Sequence, residues 1–175
     1  MLRVLRWIAI VGTAVATAAA AAHLLELPNK LRLDGPLWLA VQQQLYRGWG
    51  PVLGPFELAG LLATWGLAAC SYKRHVVFAF AFGAAVCLSI AHATFWLVVQ
   101  PVNEAFAQWT PATLPGDWTA HRLRWETGHA FRFVFLLAAL AALIRRVPGK
   151  LAMPARSAAA PAIPISRHRR ARARD

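Results

Sequence analysis

Six histidine and glutamate residues lie within or at the ends of long apolar stretches of this chain, which is an unusual place for ionisable groups. They are His23, Glu26, Glu57, His92, Glu126 and His129. Burying such a group in hydrocarbon costs several kcal/mol unless it finds a partner, so ionisable residues in membrane helices commonly mark a functional site. Three carboxylates and three imidazoles could bind metal ions or move protons.

The spacing of these residues indicates a metal site. His23 and Glu26 are three apart, as are Glu126 and His129, so each pair shares one face of a helix. A Glu-x-x-His pair, joined by carboxylates and imidazoles from other helices, binds two irons or manganeses in carboxylate-bridged proteins that activate oxygen. Here one pair is reversed and His92 replaces a carboxylate, so a single metal or copper also fits. We therefore predict that all six residues are metal ligands.

Iron, as one or two ions, and copper are the predicted metals. Haem held by two of the histidines is a less favoured alternative, and a site with no metal is also open. Arg132, three residues after His129, favours a structural alternative slightly. In that alternative, Glu57 or Glu126 pairs with Arg132 and protonated histidines, and the network only holds helices together.

Several residues near these groups are candidates for catalysis and substrate binding. Glu126, His129 and Arg132 fall in the first two turns of the last apolar stretch, and we predict that they are catalytic. His92, Trp96, Gln100 and Asn103 form one stripe at helical spacing. The predicted substrate-binding residues are Asn103, Trp96, Trp125 and Arg132.

The surrounding composition is that of a membrane protein. Of the 175 residues, 58% are hydrophobic and 15% are charged, against about 25% charged in a soluble domain. A bilayer core needs roughly 20 apolar residues per helix, and four windows qualify, at residues 7–27, 52–72, 76–100 and 125–144. We predict an all-α, integral membrane four-helix bundle with up-down-up-down topology. The six His and Glu residues and Arg132 then all lie in the outer half of the bundle.

The connection between the first two apolar stretches predicts a short interfacial helix. Asp34 can cap it, with Pro36 at its first turn, and tryptophans and glutamines follow. Such an amphipathic piece is expected to lie flat in the membrane interface.

The formal net charge of +12 is unevenly distributed. Residues 147–175 are rich in Pro, Ala and Arg without apolar periodicity, and we predict a disordered basic tail after a transmembrane domain at 1–146. Thirteen Lys and Arg residues, tail included, fall on one side of the predicted bundle and five on the other, so both termini are expected to be cytoplasmic. The expected partners are the lipid bilayer, with anionic headgroups touching the tail, and no nucleic acid.

A signal peptide is the rival interpretation of the N-terminus. Arg3 and Arg6 precede an apolar run with small residues near Ala22, where cleavage would expose His23 as a new N-terminus able to hold copper. However, the run continues through Leu27, which is longer than a usual signal core. A first membrane span is therefore the favoured interpretation.

The stretch from Pro101 to Leu143 resembles a family of small four-span membrane proteins grouped with fungal anthrone oxygenases. The resemblance is carried by Pro101, Asn103, Trp118 and the run RWETGHAFR, which contains Arg124, Trp125, His129 and Arg132. It implies oxygen-dependent oxidation of an anthrone to an anthraquinone, without implying a particular cofactor. It does not extend to His23, Glu26, Glu57 or His92, so it implies no metal role for them.

Two classes of function follow from the sequence. The first is a membrane oxygenase or related oxidoreductase, located in a bacterial inner membrane and acting on a lipophilic, aromatic small molecule. The second is a non-catalytic binding or accessory protein of the membrane, in which the His, Glu and Arg residues form a structural ion-pair network.

Overall fold

A computed structural model describes residues 1–145 of the protein, and this part of the chain is helical apart from short connections. The elements in chain order are α1 (Leu2–Lys30), α2 (Gly35–Ala40), a π-helical segment π1 (Val41–Leu45), α3 (Trp49–Cys70), α4 (His75–Thr94), a second π-helical segment π2 (Phe95–Val99), α5 (Gln100–Ala107) and α6 (Trp118–Ile144). The predicted tail, residues 147–175, lies outside the described residues.

Four helical segments are long and apolar enough to cross a membrane. They are α1, α3, α6 and the continuous run from α4 through π2 to α5, residues His75–Ala107. The all-α class and the four candidate spans predicted from the sequence are confirmed. All four spans begin before their predicted windows, whereas α3 ends at Cys70, two residues before its window ends.

The helices pack through small residues and expose large ones. α1 contacts α3 and α6, and α4 contacts the same two helices. Ala9, Ala16, Ala84 and Ala139 lie in the core, whereas many larger apolar side chains, such as Leu62, are exposed. This arrangement is expected for helices surrounded by lipid, where small residues allow close packing and large apolar residues need no burial.

Helices α1 and α3 are in close contact at two glycines, Gly12 and Gly60. A Cβ atom added to Gly12 would lie 2.8 Å from the Cα of Gly60 and closer still to the carbonyl oxygen of Phe56. No side chain fits at Gly12 unless the backbones separate. The contact therefore fixes how close α1 lies to the part of α3 that carries Glu57.

Arginines join α1 and α6 at both ends. Arg6 donates from Nη2 to the carbonyl oxygens of Leu143 and Arg145, each at 3.1 Å. At the other end, Arg122 donates from Nη1 to the carbonyls of Lys30 and Leu33, at 3.2 and 3.1 Å. The last carbonyls of a helix lack partners within it, and both guanidinium groups donate to carbonyls in or just beyond the last turn of a helix. The contacts also show that α1 and α6 run in opposite directions.

Segment π2 ends at Val99, two residues before Pro101, and the proline changes the hydrogen bonding there. Pro101 has no N–H, so within a helix it cannot donate to the carbonyl of Leu97. Arg124 of α6 donates to that carbonyl instead, at 3.1 Å from its Nη2. The π-helical turn begins at Phe95, three residues after His92.

Helix α2 begins as the sequence predicts, with Asp34 accepting a hydrogen bond from the Leu37 N–H at 2.9 Å. Its Trp38 and Leu39 are fully buried in a second apolar cluster, with residues of π2, α5 and α6. Gln43 of π1 donates to two carbonyls at and just beyond the end of α5. This segment is therefore packed against the end of the four long helices and is more than a flat anchor.

The Gly12 contact generates a prediction with a matched control. Gly12→Ala should lower the free energy of unfolding by about 1 to 3 kcal/mol, because the added methyl overlaps the backbone of α3. Gly83→Ala on α4 has nothing within 4 Å of the added Cβ, so stability should stay the same or rise slightly. Thermal unfolding of both variants in detergent measures the difference. Equal behaviour of the two variants would contradict the close α1–α3 contact.

Candidate functional site

A cavity of about 610 Å³ opens between α1, α3, the α4–π2 region and α6. Five ionisable side chains line it, namely His23, Glu57, His92, His129 and Arg132, and most of the remaining wall is apolar or aromatic. The volume lies in the range of small-molecule sites. The structure therefore brings four of the six predicted metal ligands to one cavity, together with the predicted Arg132. Glu26 and Glu126 do not line it.

Arg132 is the centre of the polar contacts in this cavity. Its Nη2 donates to Oε2 of Glu57 at 2.5 Å, and its Nε donates to the carbonyl of Ala91 at 3.2 Å. Its Nη1 lies 3.5 Å from Nδ1 of His129, and its guanidinium stacks over the ring of Phe95 at 4.9 Å. Arg132 thus links α6 with α3 and α4, and three of its five N–H groups are assigned.

His92 has one defined tautomer in this arrangement. Trp96 donates from its indole N–H to Nε2 of His92 at 3.1 Å, so Nε2 carries no proton. Nδ1 of His92 lies 3.2 Å from Oε1 of Glu57 and must carry the proton that it donates. His92 is therefore neutral with both ring nitrogens occupied. Coordination of a metal would require breaking one of these bonds.

His23 is enclosed by aromatic rings. Its ring centroid lies 4.2 Å from that of His129 and 4.7 to 5.3 Å from those of Tyr46, Trp125 and Trp49. Nδ1 of His23 is buried without a hydrogen-bond partner in the described part of the chain. Because buried polar atoms are normally paired, this nitrogen is a candidate contact for a ligand or water.

Lys30, the last residue of α1, lies at the centre of a second polar group outside the cavity. The sequence did not single out Lys30. Its Nζ is 3.1 Å from Oε1 of Glu126 and 3.7 Å from Oε2 of Glu26. The Lys30 ammonium and the Glu126 carboxylate form an ion pair, but their geometry is not that of a hydrogen bond. Nζ also lies 4.7 Å from the centroid of the Trp125 ring. Lys30 is one of the five Lys and Arg residues on the predicted outer side, and its position four residues after Glu26 is the spacing of an ion pair on one helix face.

Tyr46 is the other contributor that sequence reasoning missed. Its hydroxyl donates to Oε2 of Glu26. Burial raises the pKa of Tyr46 above its ordinary value, and the hydrogen bond to Glu26 and the nearby carboxylates raise it further. The phenol therefore stays protonated and remains a donor. Twenty residues separate the two partners, and no spacing rule predicts such a contact.

The predicted substrate residues separate into two places. Trp96 lines the cavity, as does Arg132. Trp125 and Asn103 instead bind each other, with the indole N–H donating to Oδ1 of Asn103 at 2.7 Å. Trp125 is buried in the second apolar cluster and does not line the cavity. Their contact holds α5 against α6, and the substrate role predicted for both remains a prediction.

The three carboxylates among the predicted metal ligands are paired with other partners. Within residues 1–145, no group of three or more His, Cys, Asp or Glu side chains is arranged to hold a metal ion. Glu57 faces Arg132, Glu126 faces Lys30, and Glu26 accepts from Tyr46. The contacts of these three carboxylates are with a guanidinium, an ammonium and a phenol. Binding of iron, copper or haem remains a prediction.

The Lys30 pair predicts non-additive mutational effects. Lys30→Met should destabilise the protein by roughly 3 kcal/mol, because it leaves the Glu126 carboxylate buried without its cation. Adding Glu126→Gln to Lys30→Met should recover more than half of that loss. Arg47→Met, an exposed cation in the same connecting region, is the control and should change little. Thermal unfolding that gives additive effects for the two sites would show that the pair does not exist.

No protein-family model, curated protein or solved structure matches this chain. The resemblance to anthrone oxygenases therefore remains a prediction. The site is interpreted from its own residues and contacts.

Proposed function

We propose that the four long helices form an up-down-up-down bundle in a bacterial inner membrane, with both termini in the cytoplasm. The exposed apolar side chains support placement in lipid. The charges support the orientation. In residues 1–145, the end of the bundle at Arg3 and Arg74 carries five Lys or Arg residues and no acid. At the opposite end, five Lys or Arg residues accompany five carboxylates, so the basic end is the expected cytoplasmic one.

The cavity is the proposed binding site for a lipophilic, aromatic small molecule. The observation that carries this proposal is that imidazole, carboxylate and guanidinium groups meet in one apolar-walled space of about 610 Å³. Trp49, Phe95 and Trp96 offer ring surfaces for a flat ligand. The polar groups could contact an oxygen atom on it, since two N–H groups of Arg132 are unassigned.

The proposed reaction is oxygen-dependent oxidation of an acidic CH₂ group, as in an anthrone. The ring centroids of His23 and His129 are 4.2 Å apart. In this proposal, one of these two imidazoles accepts a C–H proton. Arg132 donates to the enolate oxygen that forms, which favours charge development there. Dioxygen takes up the electrons. One of its oxygen atoms becomes the new carbonyl, and the other leaves as water with the two hydrogens of the CH₂ group.

A second candidate is a membrane binding or accessory protein without catalysis. It is favoured by the pairing of Glu57, Glu126 and Glu26 with partners inside the protein. In that case, the cavity binds a ligand and the polar groups only orient it.

Turnover of anthrone by the protein in liposomes separates the two candidates. Anthraquinone formation should exceed that in empty liposomes, and O₂ uptake should match it. His129→Gln should reduce the protein-dependent rate by about 100-fold, the scale for loss of an acid–base group. His121→Gln, a histidine outside the cavity, should keep the wild-type rate.

Each outcome of this assay has a defined meaning. Quenching of tryptophan fluorescence by anthrone without turnover would contradict the oxygenase proposal and support the binding protein. If the protein showed no turnover and anthrone did not quench its tryptophan fluorescence, both candidates would be contradicted for anthrone-like ligands. Iron and copper contents, measured on the same preparations, show whether turnover follows the metal.

A further inference from the structure

A second cavity, of about 470 Å³, lies at the end of the helices opposite to the His and Glu residues. It is formed where α1 and α4 begin and where α3 and α6 end. Four arginines line it, namely Arg3, Arg6, Arg74 and Arg145, together with apolar side chains that include Val77, Phe80 and Leu143. The lining of this cavity therefore combines cationic groups with apolar surface.

The charge of this cavity is not balanced by the protein. No Asp or Glu lines it, and the carboxylates in residues 1–145 lie on the other end or, for Glu57, in the first cavity. Neither Arg3 nor Arg74 has an acidic partner in that part of the chain. Positive charges close together repel one another, so this cluster of arginines attracts an anion.

Two further observations indicate that the cavity is built to receive a ligand. Ser71 lines it, and its hydroxyl is buried without a hydrogen-bond partner among the described residues. Two of the arginines are also held in place. Arg6 donates to the carbonyls of Leu143 and Arg145, and the Arg145 guanidinium lies 4.9 Å from the Phe80 ring centroid.

We propose that this cavity binds the phosphate headgroup of an anionic phospholipid. Arg3 and Arg74 pair with the phosphate, the Ser71 hydroxyl donates to an oxygen, and the acyl chains follow the apolar surface beside Val77 and Phe80. Basic pockets between membrane helices on the cytoplasmic side bind anionic headgroups in this way. The proposal depends on the membrane placement and is independent of the chemistry in the first cavity.

Thermal unfolding of the full chain in detergent tests the proposal. Added phosphatidylglycerol should raise the midpoint by several degrees, about 4 °C or more, whereas phosphatidylcholine of the same acyl chains should not. The double variant Arg3→Gln, Arg74→Gln should lose this difference between the two lipids. Arg32→Gln, Arg47→Gln removes the same charge from exposed positions at the other end and should keep it.

Three results would overturn the proposal. An equal response to the two lipids would show that the headgroup is not recognised. A preference for phosphatidylglycerol that survives in the Arg3 and Arg74 double variant would place recognition elsewhere, for example in residues 146–175. A midpoint shift produced by millimolar inorganic phosphate alone would identify a free anion, and not a lipid, as the ligand.

Discussion

The buried pair between Arg132 and Glu57 is the contact on which the arrangement of the site depends. It joins α6 to α3, while the same guanidinium binds a carbonyl of α4. Neither charge can be left alone in an apolar interior without a large cost. The pair therefore fixes the rotation of three helices, and with it the positions of His92 and His129 at the cavity.

Along the helix axes, the described part of the protein has an end with both acidic and basic residues, an apolar middle and a basic end. At one end, Lys30 and Tyr46 contact Glu26 and Glu126. The middle is packed with alanine, and α1 and α3 lie in close contact at Gly12 and Gly60. The opposite end is purely basic in residues 1–145. This order gives one end a ligand-sized cavity rich in acid–base groups and the other an unbalanced positive charge.

The sequence could predict the helices and the region in which the site lies, but not which side chains pair with each other there. Long apolar windows identify the spans because a bilayer dictates their length, and Asp34 with Pro36 marks a helix start by local chemistry alone. Clustering of His23, Glu57 and His129 follows from their similar depth. Partner choice depends on helix rotation and on tertiary contacts such as Tyr46 with Glu26, which no local spacing specifies. For this reason the sequence does not predict that Lys30 faces Glu126 or that Trp125 donates to Asn103.

Glu57 and Arg132 form one buried unit across two helices. A double-mutant cycle with Glu57→Gln, Arg132→Met and the combined variant, followed by denaturation in mixed micelles, measures their coupling free energy directly. We expect a coupling free energy of about 2 kcal/mol or more, with each single variant much less stable than the wild type. Effects of the two substitutions that add to within about 0.5 kcal/mol would contradict it.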